Sequence, residues 1–403
     1  MALILRLVFA SNYVSSHPAR ALATIPFLFE PGNIAYSLAT GHGFASPFRV
    51  DTGPTAWMTP VYPLLLAGIF RLFGTYTIQA FLAAIGLNIL FSTATCVPLW
   101  FAGKRLGAPV AAPLLWALFP NAILLPYESL WDASLSALLA ATILWATLAV
   151  AESDRLRDWI GCGLLWGLAL MTNAALVALL PFQLGWAAWR HRRAKPLVAA
   201  AAIVLCCLPW TIRNYRVFHA FVPLRSVAGL ALWLGNNDDA GTLTPGRLHP
   251  ISNQAERDKY VAMGEIDYMR EKQSLAVHYL FTHPATEARL IAERFVAIWS
   301  GGSAHLIRDF RNARTVRFYV VVLCNLIAAL GALTGIVLLW REHSPYAFPL
   351  TAFPLIFPLA YYLTLAPPRY RHPIDPALLL LTAIAITHLP NYRKRPSPVR
   401  KSK

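Results

Sequence analysis

Apolar residues fall along this chain in long blocks separated by short polar stretches. Each block approaches the roughly 20 residues a helix needs to cross a bilayer. They predict helices at about 78–101, 109–127, 133–151, 159–173, 174–189, 196–212, 317–340, 346–365 and 374–390. Residues 1–10 are apolar, but Arg6 interrupts them and no basic n-region precedes an unbroken apolar run, so they do not read as a signal peptide. They read instead as the tail of a first, truncated transmembrane helix, which brings the count to about ten spans.

Two interruptions are too long and too patterned to be linkers. Residues 11–77 form a polar-aromatic loop with short amphipathic pieces at 34–40 and 62–73. In the mostly polar segment 213–316, residues 254–300 interleave charged and apolar positions as a surface-lying helix does: Glu256, Tyr260, Ile266, Met269, Leu275, Leu280, Leu290 and Phe295. His283-Pro284 should break that run, because proline lacks the N–H and disfavours helix just before it. The organisation is therefore an N-terminal transmembrane module at 1–212 with its first loop at 11–77, an extracytoplasmic helical cap at 213–316, C-terminal helices at 317–390, and a basic cytoplasmic tail at 391–403. The fold class is an all-α polytopic membrane protein.

Composition supports the membrane reading. Of 403 residues, 57% are apolar and 13% charged, and the mean hydropathy is +0.50. Soluble domains carry about 25% charge. A net charge of +16 raises the question of nucleic acid. The basic residues, however, cluster beside apolar blocks, at Lys104 and Arg105, at 190–195 and at 393–403, where the positive-inside bias places them. Membrane lipids, not nucleic acid, are the anionic partner this implies. Charge alternation puts 103–107, 152–158, 190–195, 340–344 and the tail in the cytoplasm. It gathers loop 11–77, the turn 127–132, the turn around Asn173, segment 213–316 and the turn 366–376 on the other face. The protein reads as a multi-pass protein of the inner (plasma) membrane whose polar chemistry faces the periplasm or cell exterior. Cys96, Cys162, Cys206, Cys207 and Cys324 all lie in apolar stretches without metal or redox spacing, and read as packing residues.

Several constellations on that outer face carry candidate chemistry. Glu30 stands where an apolar run emerges into the first loop; it is either a general base whose apolar neighbours raise its pKa, or an interfacial glutamate capping the helix that follows. Asp132, at the outer end of a span, is either a cavity-facing acid or the N-cap of the next helix. Arg369 and Arg371 run against the charge bias, so they either bind phosphate through the planar guanidinium or snorkel to headgroups. Arg213 and Asn214 close a span, as headgroup contacts or interface anchors, and Leu234–Asp239 is a polar turn that suits a plain loop. No P-loop, HExxH, GxSxG or cysteine metal motif is present, and the histidines lack helical metal spacing. No cofactor is called for, although carboxylates leave room for a divalent metal.

In order along the chain, Glu30 with Ile34-Ala35 and Gly41-His42-Gly43-Phe44, then Pro60-Val61-Tyr62-Pro63, then Pro209–Asn214, then Arg369–Pro373, resemble glycosyltransferase family 39. Its relatives include protein O-mannosyltransferases and the lipid A aminoarabinose transferase. The resemblance runs over nearly the whole chain and implies a GT-C fold with its site under the first loop. It further implies a polyprenyl-phosphate sugar donor, a lipid, protein or glycan acceptor, and inversion at the anomeric carbon. The resemblance puts the family's loop acid on Glu30, where many members have aspartate, and its second acid on Glu128 or Asp132, with Asp132 preferred. Arg369, Arg371 and Arg213 take the donor phosphate, and Tyr36, Asn214 and Tyr370 contact substrate. Competing readings are a polyprenyl-lipid transporter or flippase, for which the two symmetric halves are missing, and a ligase-like polysaccharide-assembly protein, which needs no carboxylate in the first loop.

Overall fold

The computed structural model describes residues 1–191, 195–241, 246–301, 304–313 and 315–393, with side chains to 388. The basic tail beyond 393 and residues 192–194 of the 190–195 cluster, including Arg193, lie outside the described residues. Helices account for the regular structure among those residues; the one β-contact is an isolated bridge between Ala45 and Pro54.

Four helices are long and apolar enough to cross a membrane: the run Ile78–Arg105, then Ala133–Val150, Lys195–Phe218 and Val316–Arg341. Shorter apolar helices are Ala2–Ser15, Val61–Phe73 and Ala347–Tyr362. The difference from ten uniform spans has a local cause. Block 109–127 divides into Ala111–Leu118 and Pro120–Glu128 because Phe119, ahead of proline, is extended at ψ 124°. Block 346–365 divides at Phe357-Pro358, and 174–189 opens with a 3-10 stretch, Ala174–Leu179. Lys195–Phe218 continues past 212 into segment 213–316, which the charge pattern reads as the outer segment.

Arg6, which interrupts the first apolar run, anchors it. Its guanidinium is fully buried, donating to Ser92 Oγ at 2.9 Å and to the carbonyls of Trp116 and Ala117, both at 3.4 Å. Ala133–Val150 is the central helix, buried along most of its length. Two helix pairs close on glycines spaced four apart, the small-residue pattern that lets membrane helices approach. Gly163 and Gly167 of Leu156–Thr172 face Ala199 and Cys206, and Gly331 and Gly335 of Val316–Arg341 face Thr382 and Leu381.

The two ends of the bundle differ in chemistry. Arg105–Glu152, Tyr346–Glu152 and Lys195–Asp154 contacts gather at one end, with His388 reaching the Leu106 carbonyl. At the other, about 27 Å along the 18 residues of Ala133–Val150, the first loop and the outer segment are strapped together. Glu265 is buried and accepts from Thr55 Oγ1, the Ala56 amide, Ser226 Oγ and Tyr260 Oη at 2.5–2.8 Å. Four donors on one carboxylate offset the cost of burying it. The outer segment forms helices Ala228–Gly235, Gln254–Met263, Glu265–Thr282 and Pro284–Ser300. The break at His283-Pro284 falls where the sequence places it. A second, at Gly264 with φ +78°, does not appear in the sequence reading.

Candidate active site

The predicted site residues do not converge on one point. Asp132 follows the turn after Pro120–Glu128 and begins Ala133–Val150, but its carboxylate does not cap that helix. It accepts from Ser136 Oγ at 2.7 Å and lines a small cavity of about 60 Å³ with Asn173, Arg225, Tyr361, Arg369 and Tyr370. Burial pushes the Asp132 carboxyl above its ordinary value, against the Ser136 hydroxyl and the Arg225 and Arg369 charges, which favour the carboxylate.

Arg369 projects from the single-turn helix Pro368–Arg371. Its guanidinium lies 4.3 Å from the centroid of the Trp131 ring and 5.3 Å from that of Tyr370, and its buried Nε has no hydrogen-bond partner. Stacking fixes the plane of the fork while leaving donors to give. Arg369 also lines a larger groove of about 460 Å³ between Pro120–Glu128 and Val316–Arg341, walled by Leu124, Leu125, Phe318, Val321 and Val322. Glu128 and Arg317 form an ion pair at this groove at 2.5 Å. One arginine therefore borders both a polar cavity and an apolar groove.

Arg371 is engaged elsewhere. It is buried, pairs through Nε with Asp375 at 2.7 Å and donates from Nη1 to the carbonyls of Trp299 (3.1 Å) and Ile298 (3.3 Å), while its Nη2 has no hydrogen-bond partner. Asp375 also faces His372 Nδ1 at 3.0 Å. Arg213 straps the first loop, donating to the carbonyls of Thr55 (2.7 Å) and Phe44 (2.8 Å), and Asn214 holds the Val222 carbonyl. Tyr36 lies on a separate cleft in the first loop.

Glu30 starts the helix Glu30–Ala39, is buried, and has Oε1 3.3 Å from His249 Nε2 of the outer segment. The His249 ring sits edge-on to Phe48 and Trp57. Burial lowers its pKa below the ordinary value, opposed by the Glu30 carboxylate. Glu30 is not among the residues lining the Asp132 cavity.

Sequence reasoning missed Arg225 and His249. Arg225 carried a signal, being a further arginine in a segment the charge pattern reads as extracytoplasmic; nothing marked His249 among the scattered histidines. No group of three or more His, Cys, Asp or Glu side chains able to hold a metal occurs among the described residues. His–carboxylate contacts there come in pairs, such as Glu30–His249 and Asp375–His372, and no step is routed through a metal.

Over 91% of its length the chain superposes on the crystal structure of the Archaeoglobus fulgidus oligosaccharyltransferase, determined in complex with zinc and sulfate, with a TM-score of 0.53 and 11% identity. The fold is that of the GT-C glycosyltransferases. The chain spans 45% of that protein's length. Residues 57–212 match the family described as dolichyl-phosphate-mannose-protein mannosyltransferase. No curated protein matches the chain. The matched segment contains Asp132; Glu30, Arg225 and Arg369 lie outside it, and in the GT-C fold the last two are brought back to its edge.

Proposed function

We propose that this protein transfers a sugar from a polyprenyl-phosphate donor to an acceptor hydroxyl on the extracytoplasmic face, inverting the anomeric centre. The observation that carries this reading is the place of Arg369, stacked on Trp131 with an unpartnered Nε, between the Asp132 cavity and an apolar groove. A polyprenyl phosphate has the matching layout: a hydrocarbon chain for the groove, a phosphate for the guanidinium, and a sugar beyond it. The match to a family named for a dolichyl-phosphate donor supports that class. The clustering of basic residues at the opposite end supports the face.

The steps follow from the side chains. Arg369 and Arg225 receive the donor phosphate, and Asp132 takes the proton from the acceptor hydroxyl as its oxygen bonds to the anomeric carbon. The bond from that carbon to the phosphate oxygen breaks on the opposite side, and the polyprenyl phosphate leaves with its charge on the guanidinium groups. Such preorganised donors are worth about 3 kcal/mol each in comparable sites. The raised proton affinity of Asp132 suits a base better than an ordinary exposed aspartate would. The loop acid the family resemblance favours, Glu30, faces His249 and does not line the Asp132 cavity, so the role goes to Asp132 in this reading.

Glycolipid and glycoprotein profiles of intact cells test the proposal, comparing a deletion strain with Asp132→Asn and Glu30→Gln strains. Asp132→Asn should match the deletion, since losing a general base costs about 10²–10⁴ in rate, while purified Asp132→Asn still binds polyprenyl phosphate. If Glu30→Gln alone matches the deletion, the base is Glu30. A deletion strain with an unchanged profile removes the transferase reading.

A further inference from the structure

The first loop folds around a second cleft, apart from the Asp132 cavity, of about 420 Å³. That size is within the range of small-molecule clefts, about 300–1,000 Å³. Its walls include Asn33, Tyr36 and Ser37 of the Glu30–Ala39 helix, Arg49 and Asp51 of the loop beyond, and Tyr76.

Three independent features set it apart from a surface crevice. Ser37 is 4% exposed, yet its Oγ has no hydrogen-bond partner; a buried hydroxyl left alone calls for an explanation, and a ligand is one. The Tyr36 and Tyr76 rings lie 5.3 Å apart at 31°, and Tyr36 is 41% exposed, so aromatic surface remains uncovered. Ser46 and Tyr76 both hold φ +54°, and both line the cleft. They are two of the four non-glycine residues in the left-handed region among the described residues. For a bulky side chain that conformation is a true outlier, and such outliers gather at binding sites.

We propose that this cleft binds a saccharide, a residue of a glycan acceptor held away from the reacting centre. The inference rests on the glycosyltransferase reading and adds the acceptor class. A pyranose ring has an apolar C–H face that lies flat on a tyrosine, and a rim of hydroxyls that both donate and accept. The cleft offers both kinds of partner. Asn33 Nδ2 is committed to the Pro47 carbonyl at 3.0 Å and the Leu28 carbonyl at 3.4 Å, so its carbonyl oxygen is the atom on offer. Asp51 Oδ1 accepts from Ser46 Oγ at 3.0 Å and the Gly53 amide at 3.1 Å, which orients the carboxylate and leaves its second oxygen. Arg49 and Ser37 supply donors. A prenyl or acyl chain would leave all of these unpaired. The Glu30–Ala39 helix separates the cleft from the donor side, since Ile34 on the same helix packs in the cluster that includes Tyr370.

Saturation-transfer NMR and calorimetry on the full-length protein in nanodiscs, with methyl hexopyranosides and their disaccharides as probes, test the assignment. At least one disaccharide should bind. Tyr36→Ala should weaken it about tenfold or more, and Tyr36→Phe, which keeps the ring, should not. Ser37→Ala should weaken binding without lowering the unfolding temperature. Absence of saccharide binding, binding that survives Tyr36→Ala, or displacement of the sugar by a short-chain phospholipid would each overturn the proposal. Polyprenyl-phosphate affinity measured on the same sample reads the Arg369 site separately. If that affinity is present and saccharide binding absent, only the acceptor assignment fails; the reverse pattern removes the donor reading.

Discussion

Arg369→Lys and Arg371→Lys remove the same chemical feature, the planar fork, from two arginines one residue apart, and the structure assigns them opposite outcomes. At Arg369 the guanidinium stacks on Trp131 at 4.3 Å with Nε unpartnered. Lysine keeps the charge and part of the cation–π attraction, about 0.5–2 kcal/mol in all, but loses the planar stacking. It also replaces a two-point contact with phosphate by a single point charge, and each charge-assisted bond is worth about 1.5–3 kcal/mol. Allowing for what the ammonium recovers, donor binding should weaken by about 1–3 kcal/mol, or roughly five- to 150-fold in Kd. Arg371 is fully buried, with Nε held by Asp375 at 2.7 Å and Nη1 by the Trp299 carbonyl at 3.1 Å; its Nη2 has no partner, but it borders neither the Asp132 cavity nor the apolar groove. Its lysine variant should lose thermal stability and keep donor affinity in the folded fraction. Removing the partner outright, as in Arg371→Met, should cost stability, though less than the roughly 3–5 kcal/mol of a buried charge left wholly unpaired, because Asp375 keeps His372 Nδ1 at 3.0 Å. Titration of a short-chain polyprenyl phosphate into purified variants, with thermal unfolding alongside, separates the two. Wild-type affinity in Arg369→Lys, or an affinity loss confined to Arg371→Lys, would refute the assignment of the phosphate to Arg369.

Three further outcomes follow from other parts of the molecule. Burial holds the pKa of His249 below its ordinary value near 6.5, so between that value and the lower folded one the unfolded chain binds the extra proton, and stability falls as pH drops below about 6.5; thermal unfolding from about pH 8 to 5 should show this in wild type and less in His249→Gln, and parallel curves would refute it. Gly335→Ala places a methyl group against the Leu381 carbonyl oxygen and should cost about 1–3 kcal/mol, seen as a lower unfolding temperature, whereas Gly86→Ala, with nothing nearby, should not. In intact cells, cysteines at the exposed Asp238 or at Tyr370 should label from outside and cysteines at Arg193 or Lys401 should not; the reverse pattern would invert the topology and with it the face of the site.

How much of this was legible in the sequence depended on whether the cause was local. The amphipathic helices Glu30–Ala39 and Val61–Phe73 and the break at His283-Pro284 follow from periodicity and proline chemistry within a few residues, and the sequence reading places them to within four residues. The proline breaks at Phe119 and Phe357 were equally local, but uniform apolar blocks hid them, because hydropathy averages over a residue that merely turns the chain. The site is of the other kind. Arg369 and Arg371 look alike in sequence, as two arginines on an outer turn, and what separates them lies at long range and close by at once: Trp131, 238 positions earlier, lies beneath one, while Asp375, four positions later, pairs with the other. The carboxylates reverse in the same way. Glu30 has the more suggestive local sequence, yet its carboxylate meets His249, 219 positions away, whereas Asp132, which reads equally as a helix cap, leaves the cap unmade and turns to Ser136 and the cavity. A side chain's role in a polytopic site is set by which helix ends meet over it. Residue type tells which chemistry is available, and only the packing of Ala133–Val150 against the last turn before Asp375–Arg393 tells that Asp132 and Arg369 border one cavity.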